Sequence, residues 1–128
     1  MSSIWVDLMG AEVKYYHGKK FRTRVAEAGK GDALLLIHGT GGHMEAWSRN
    51  VVRLAQDFRV LAMDMMWHGY SSHEPLSNDP IPTHCEHILD LMDAADIEKI
   101  HIEGESVGGW IAMWMALHYP DRVGRIIL

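Results

Sequence analysis

What this sequence does without narrows its class before any motif is read. It has a single cysteine, Cys85, so no internal disulfide can form and the chain suits a reducing compartment. No apolar run approaches the roughly 20 residues of a membrane-spanning helix. Met1 to Gly10 has neither the basic region nor the apolar core of a signal peptide, so the cytoplasm is the expected location, with no membrane partner. A basic surface is missing too: 12 lysines and arginines face 17 acidic residues, for a formal charge of −5, which argues against nucleic acid as a partner. The densest basic patch, Lys19-Lys20 with Arg22 and Arg24, reads as a solvated hairpin. No repeat, low-complexity tract or linker interrupts the 128 residues, enough for about one domain around one core. What remains is the ordinary soluble globular balance, 48% apolar and 23% charged.

Hydrophobic patterning then divides the chain. Ile4 to Leu8 and Glu12 to Tyr16 read as short strands around Gly10-Ala11. Phe21 to Ala28 reads as a third, turned by His17-Gly18-Lys19, so the opening is an antiparallel meander at a sheet edge. Ala33 to Ile37 is a continuous apolar run, as expected of a strand covered on both faces. Glu45 to Ala55 places Trp47, Val51 and Leu54 on one face of an amphipathic helix. Arg59 to Met63 is another buried strand, followed by an irregular stretch through Pro75, Pro80 and Pro82. Thr83-x-x-Glu86 has the pattern of a capping box opening a helix whose inner face is Ile88, Leu91, Met92 and Ala95. Lys99 to Glu103 is a strand, Val107 to His118 a helix apolar almost all round and so expected to be buried, and Val123 to Leu128 a further strand. Trp110 and Trp114 fall on that helix as packing residues, and the many methionines read as core filler. Alternating strands and helices imply a mainly parallel sheet with right-handed crossovers.

Chemistry concentrates where the Lys99–Glu103 strand meets the next helix. Gly104-Glu105-Ser106-Val107-Gly108 is G-x-S-x-G in a strand–turn–helix setting. So tight a turn holds the serine in a strained conformation with its hydroxyl pushed outward, while Gly104 and Gly108 let strand and helix approach. A serine hydroxyl needs a base to become nucleophilic, and the oxyanion formed on attack needs hydrogen-bond donors. The Val107 N–H is placed to be one donor. The second is expected from Thr40 or Gly41, in the small-residue turn His38-Gly39-Thr40-Gly41-Gly42 after the Ala33–Ile37 strand. His38 reads either as a base or, preferably, as the organiser of that turn, and Asp64 either as an acid near the site or, preferably, as a cap on the Trp67-His68-Gly69 loop. His68 and Tyr70 read as loop packing. His84-x-x-His87 beside Cys85 has a metal-ligand spacing but no third ligand, so no metal and no cofactor are expected.

The four segments His38–Gly42, Asp64–Ser71, Gly104–Gly109 and Tyr119-Pro120-Asp121-Arg122-Val123, in this order, resemble the α/β-hydrolase superfamily, and within it the meta-cleavage-product hydrolases. The resemblance covers nearly the whole chain but only the front portion of the family's fold: antiparallel edge strands, then a mostly parallel sheet with flanking helices, ending at the strand after the nucleophile helix. It implies Ser106 as nucleophile, Thr40, Gly41 and Val107 as oxyanion donors, and His38, Gly39, Gly42, Glu105 and Trp110 as residues shaping the site. The partner it implies is a small carbonyl substrate, a 2-hydroxy-6-oxo-dienoate cleaved at a carbon–carbon bond. Carboxylesterase or lactonase chemistry on the same elbow, and a hydrolase-fold binding protein, are the alternatives.

The family's chain order puts the acid and the histidine of the triad after the nucleophile. Here His118 and Asp121 flank a helix end at the far side of the strands and are unsuited to those roles. Residues 1–128 are therefore expected to be the N-terminal part of a single hydrolase domain, inactive alone and prone to self-association (a homo-oligomer included) through the Val123–Leu128 strand.

Overall fold

The computed structural model describes residues 3–128, so Met1 and Ser2, at the head of the Met1–Gly10 segment, lie outside the described residues. Its frame is a six-stranded sheet. In chain order the strands are β1 (Glu12–His17), β2 (Arg22–Ala28), β3 (Ala33–Ile37), β4 (Arg59–Met63), β5 (Ile100–Gly104) and β6 (Val123–Ile127). Across the sheet the order is β1-β2-β4-β3-β5-β6. β1 and β2 form an antiparallel hairpin, β2 runs antiparallel to β4, and β4, β3, β5 and β6 are parallel. All five residues of β3 are buried, as its unbroken apolar run requires between two covered faces.

Helices α1 (Ile4–Asp7) and α2 (Ser48–Leu54), with a 3-10 turn over Met44–Trp47, lie on one face. Their core joins Leu8, Met44 and Val51 to Leu34, Leu36, Val60 and Ala62. Helices α3 (Pro80–Ala94) and α4 (Val107–His118) cover the other face. There Cys85, Ile88, Leu91, Met92, Ile111 and Met115 pack on Leu35, Ile37, Leu61 and Met63. Successive β3 residues alternate between the two clusters, which is the period-two pleat expressed as two cores.

Four expectations are corrected. Ile4 to Leu8 is not a strand: Ser3 caps a helical turn, its hydroxyl accepting the Val6 N–H, and only Leu8 of the segment is buried. A third strand of that meander would have had to pair along β1, whereas a capped turn satisfies its own amides. Thr83 does not open α3. Asp79 occupies the cap position, Pro80 stands at the first turn where its missing N–H costs nothing, and the Thr83 hydroxyl donates back to Asp79 O. The basic hairpin is not wholly solvated, because Arg24 is buried. And α4 is not buried all round, since Trp110, Met113, Trp114 and Leu117 face outward.

α3 also closes the β1–β2 turn. The Asp90 carboxylate accepts the amides of Lys19, Lys20 and Phe21 at 2.9, 3.2 and 2.9 Å. A Cβ on Gly18 would lie 1.9 Å from Asp90 Oδ2, so a side chain there would push the carboxylate away from the amides it accepts.

Candidate active site

The carboxyl ends of β3, β4 and β5 meet at one edge, and the short segments that follow them build the site. After β5 the chain reverses within two residues. Glu105 N–H donates to Ile37 O at 3.0 Å, tying the turn to β3, and Ser106 takes φ 54° and ψ −118°. That region is costly for a residue with a Cβ, on the order of 1–3 kcal/mol. It is held by the start of α4, where Gly108 N–H donates to Glu105 O and Gly109 N–H to Ser106 O, at 2.8 and 2.9 Å. A Cβ on Gly104 would sit 2.3 Å from Gly108 O, and one on Gly108 would sit 2.6 Å from Ile37 O. Both glycines therefore exist so that helix, strand and neighbouring strand can touch. The Ser106 side chain is left exposed at the head of a 12-residue helix. Val107 N–H, in the first turn, has no intrahelical acceptor and lies at the positive end of the helix dipole.

The turn after β3 lies against this elbow, with the Gly39 Cβ position 3.4 Å from Ser106 Cβ. His38 is wholly buried and spends both ring nitrogens on the backbone: Nδ1–H donates to Gly39 O at 2.7 Å and Nε2 accepts the Met65 N–H at 3.0 Å. Burial pushes its pKa down, so it is neutral and organises the turn. Of the three successive amides in the turn, Gly42 donates to Gly39 O at 3.0 Å and Gly41 to His68 Nε2 at 3.0 Å. Thr40 N–H donates to no group among the described residues. The Gly41 amide, expected as an alternative oxyanion donor, is thus already occupied.

Asp64, at the end of β4, is buried and binds three segments together. It accepts the Met44 N–H at 2.7 Å, the Tyr70 N–H at 2.9 Å and Arg24 Nη1 at 3.2 Å. Arg24 in turn donates to Glu45 Oε1 at 2.6 Å, and the Tyr70 ring lies 5.0 Å from the guanidinium. Burial alone would raise the Glu45 carboxyl, but the Arg24 hydrogen bonds and charge outweigh it and hold its pKa below the usual range. Charge-assisted hydrogen bonds in such a sheltered place are strong, and losing one partner strands the others. Sequence reading missed Arg24 and Glu45. They are 21 positions apart and belong to a strand and a 3-10 turn, so no spacing rule joins them.

The histidines and the cysteine of α3 stand apart from the elbow. His84 and His87 are buried on the inner face of α3, His84 edge-on to Trp67 and His87 Nε2 bonded to Thr23 Oγ1 at 2.7 Å. Burial lowers their pKa values to about 4 and about 3, with His68 and His38 adding to the effect on His84 and His84 to that on His87. Burial likewise raises the Cys85 thiol to about 12, which makes it inert. Glu105 is exposed beside Ser106, and Trp110 is exposed on the first turns of α4. His118 closes the far end of α4, donating to Trp114 O. Among the described residues no carboxylate or imidazole is hydrogen-bonded to Ser106 Oγ. An apolar groove of about 450 Å³ lies elsewhere, between α2 and the β5–β6 face, lined by Leu34, Leu54, Phe58, Ile102 and Ile127 among others.

A strained serine at a strand–helix elbow, abutting a turn with an unspent amide, is the arrangement of a nucleophilic hydrolase site on a mostly parallel α/β sheet. A family model described as alpha/beta hydrolase fold matches residues 32–128, and the chain belongs to that family. It is 38% identical over 112 residues to an uncharacterized protein of Mycobacterium tuberculosis (strain ATCC 25618 / H37Rv), covering 88% of this chain and 32% of that protein. It is 36% identical over 110 residues to the 2-hydroxymuconate semialdehyde hydrolase of Pseudomonas sp. (strain CF600), covering 84% of this chain and 39% of that enzyme. It superposes with a TM-score of 0.84 on the meta-cleavage product hydrolase from Pseudomonas fluorescens IP01, at 32% identity, covering 94% of this chain and 45% of that one. The chain thus spans less than half the length of each of these proteins.

Proposed function

We propose that this chain carries the nucleophile and the oxyanion hole of a serine hydrolase that cleaves a carbon–carbon bond in a 2-hydroxy-6-oxo-dienoate. Residues 1–128 are then the N-terminal part of a single hydrolase domain. Ser106 Oγ is the nucleophile or the group that assists water at the 6-oxo carbon. Thr40 and Val107 N–H receive the oxyanion that develops there. His38, Gly39 and Gly42 shape the turn that presents Thr40, while Glu105 and Trp110 border the serine. The observation that carries the reading is Ser106 itself, held exposed at φ 54° at the head of α4 with the Thr40 turn against it.

The reaction needs a proton acceptor for the serine or water and a proton donor for the departing dienol. In this proposal the triad acid and histidine come from outside the described residues. Ketonisation puts a proton on C5; the oxygen of water then ends bonded to C6 as the C5–C6 bond breaks, C6 leaves as a carboxylic acid, and the bonding pair passes into the dienol, whose C2 oxygen takes the remaining proton of water. The relatives with meta-cleavage activity in their names support the substrate class, and two preorganised amides are worth several kcal/mol to any such oxyanion.

A substrate panel tests it. The protein at its natural length is offered coloured dienoates and p-nitrophenyl esters, with Ser106→Ala beside it. Bleaching of the dienoates that disappears in Ser106→Ala is expected. Fast ester turnover without bleaching would replace the carbon–carbon reading with an esterase, and tight ligand retention unaffected by Ser106→Ala would indicate a binding protein.

A further inference from the structure

Two residues of the loop after β4, Trp67 and His68, hold conformations that the proposed reaction does not explain. Trp67 is a bulky residue at φ 65°, a conformation that favours glycine. It is held there by its own N–H to Ser72 O at 3.0 Å, its indole N–H to Glu74 O at 2.5 Å, and its edge-on contact with His84. The next residue, His68, has both ring nitrogens engaged in a directed way. Its Nδ1–H donates to Met66 O at 2.9 Å, which leaves Nε2 as an acceptor, and Nε2 takes the Gly41 N–H at 3.0 Å. The His38 ring stands edge-on at 5.0 Å and closes the other side.

We infer that His68 is a positioning residue that selects the oxyanion donor, capturing the Gly41 amide so that the Thr40 amide alone of this turn is left for the substrate. The inference rests on the reading of Ser106 as nucleophile. The three glycines of the turn, Gly39, Gly41 and Gly42, leave its peptide planes few steric restraints, and Gly41 itself sits at φ 77° with open space around its Cβ position. A turn so free needs an external acceptor to fix which amide points where. Gly42 is fixed from within, by Gly39 O, and His38 anchors the turn's base. Among the described residues only His68 hydrogen-bonds Gly41 from outside the turn. Without His68 the Thr40–Gly41 peptide would lose its anchor, and the Gly39–Thr40 peptide, which carries the Thr40 N–H and meets it at Thr40 Cα, would lose its fixed orientation between two glycines. The cost of holding Trp67 at positive φ is explained on this view, because that backbone conformation is what delivers His68 to the turn.

The two amide side chains separate this role from simple filling of space. Glutamine places a polar group where Nε2 stands, whereas asparagine places one where Nδ1 stands. In the protein at its natural length, the rate of Ser106 labelling by a fluorophosphonate is measured for His68→Gln and His68→Asn. His68→Gln should stay within about fivefold of the parent and His68→Asn should fall about 10- to 100-fold, part of the loss expected for a missing oxyanion donor. The unsubstituted protein gives a second readout. Gly41 N–H should show a through-hydrogen-bond coupling to an unprotonated His68 Nε2 and exchange much more slowly than Thr40 N–H. Equal labelling of the two variants, or a fast-exchanging Gly41 amide, overturns the role of His68 alone. Absence of labelling in the parent protein overturns the nucleophile reading and this inference with it.

Discussion

The two ends of α4 follow opposite logics. At its N-terminus the backbone is tightly bonded, the Thr40 and Val107 amides aside: Glu105, Gly108 and Gly109 amides have carbonyl partners, two glycines are in near contact with backbone, and the turn beside it is held by His38, His68 and Asp64. One serine is left strained and exposed amid this order. Towards its C-terminus the helix presents Met113, Trp114 and Leu117 outward, Leu117 with 75% of its surface accessible, and Trp110 continues the stripe at 66%. The first region is over-determined around the serine that we propose as nucleophile, as chemistry requires. The second satisfies its backbone but leaves apolar surface uncovered among the described residues, as an interface does.

The comparison breaks hardest at Ser106. Replacing it by alanine should lower turnover of any acyl or dienoate substrate by about 10³-fold or more, because the residual oxyanion hole catalyses weakly without a nucleophile. Steady-state kinetics check it, with circular dichroism to show that the fold is intact. The next largest effect is on stability. Arg24→Ala leaves Asp64 and Glu45 as sheltered carboxylates without their shared cation, and should destabilise the protein by about 3–5 kcal/mol. A denaturant midpoint unchanged from the parent would show that Arg24 is dispensable to the turn.

Which of these features could be read from sequence follows from how far apart their parts lie. The elbow was legible because its requirements are local: a strand, glycines two residues either side of a serine, and an apolar helix. The buried strands Ala33–Ile37 and Arg59–Met63 were legible for the same reason, since their apolar runs report two covered faces. Arg24 was misread because its partners, Glu45 and Asp64, come from other elements and only the sheet order β2-β4-β3 brings them together. Ile4 to Leu8 was misread because β-branched and aromatic residues favour strands only where a sheet edge receives them, and here Ser3 offers a cap instead. The Gly41–His68 bond lay beyond sequence reasoning altogether, for nothing in spacing tells which nitrogen of a histidine will face which amide.

A smaller effect concerns pH. His84 and His87 are neutral when folded, with pKa values lowered by burial to about 4 and about 3 from an ordinary 6.5. Between pH 6.5 and about 4 the unfolded chain therefore binds protons that the folded chain does not. Their contribution is fully present above pH 6.5 and is lost progressively as pH falls towards those lowered values. Unfolding free energies at pH 7.5 and pH 5 should differ by about 2 kcal/mol from His84 and His87 together, since each unit of separation is worth about 1.4 kcal/mol per group and relaxation takes back part of it. Replacing His84 by leucine should flatten that slope. A slope identical in the parent, His84→Leu and His87→Leu would assign the acid sensitivity to other groups.

The smallest effect on stability should come from the other end of α4, and there association is the more informative measurement. Trp110, Met113, Trp114 and Leu117 follow the i, i+3, i+4, i+7 spacing of a single helical stripe, and Ile127 and Leu128 add exposed apolar surface at β6. Among the described residues β6 is hydrogen-bonded on one side only, to β5, so the same part of the molecule also carries an open strand edge. Residues 1–128 produced alone should therefore self-associate. Trp114→Glu with Leu117→Lys should shift sedimentation towards monomer while changing unfolding free energy by no more than about 0.5 kcal/mol per site, the usual range for exposed positions. If the stripe were instead part of the core that holds α4 on the sheet, those two charges would unfold the chain before they dispersed it. A monomeric parent would show that neither the stripe nor the β6 edge is adhesive, and the contrast between the two ends of α4 would then lie in chemistry alone.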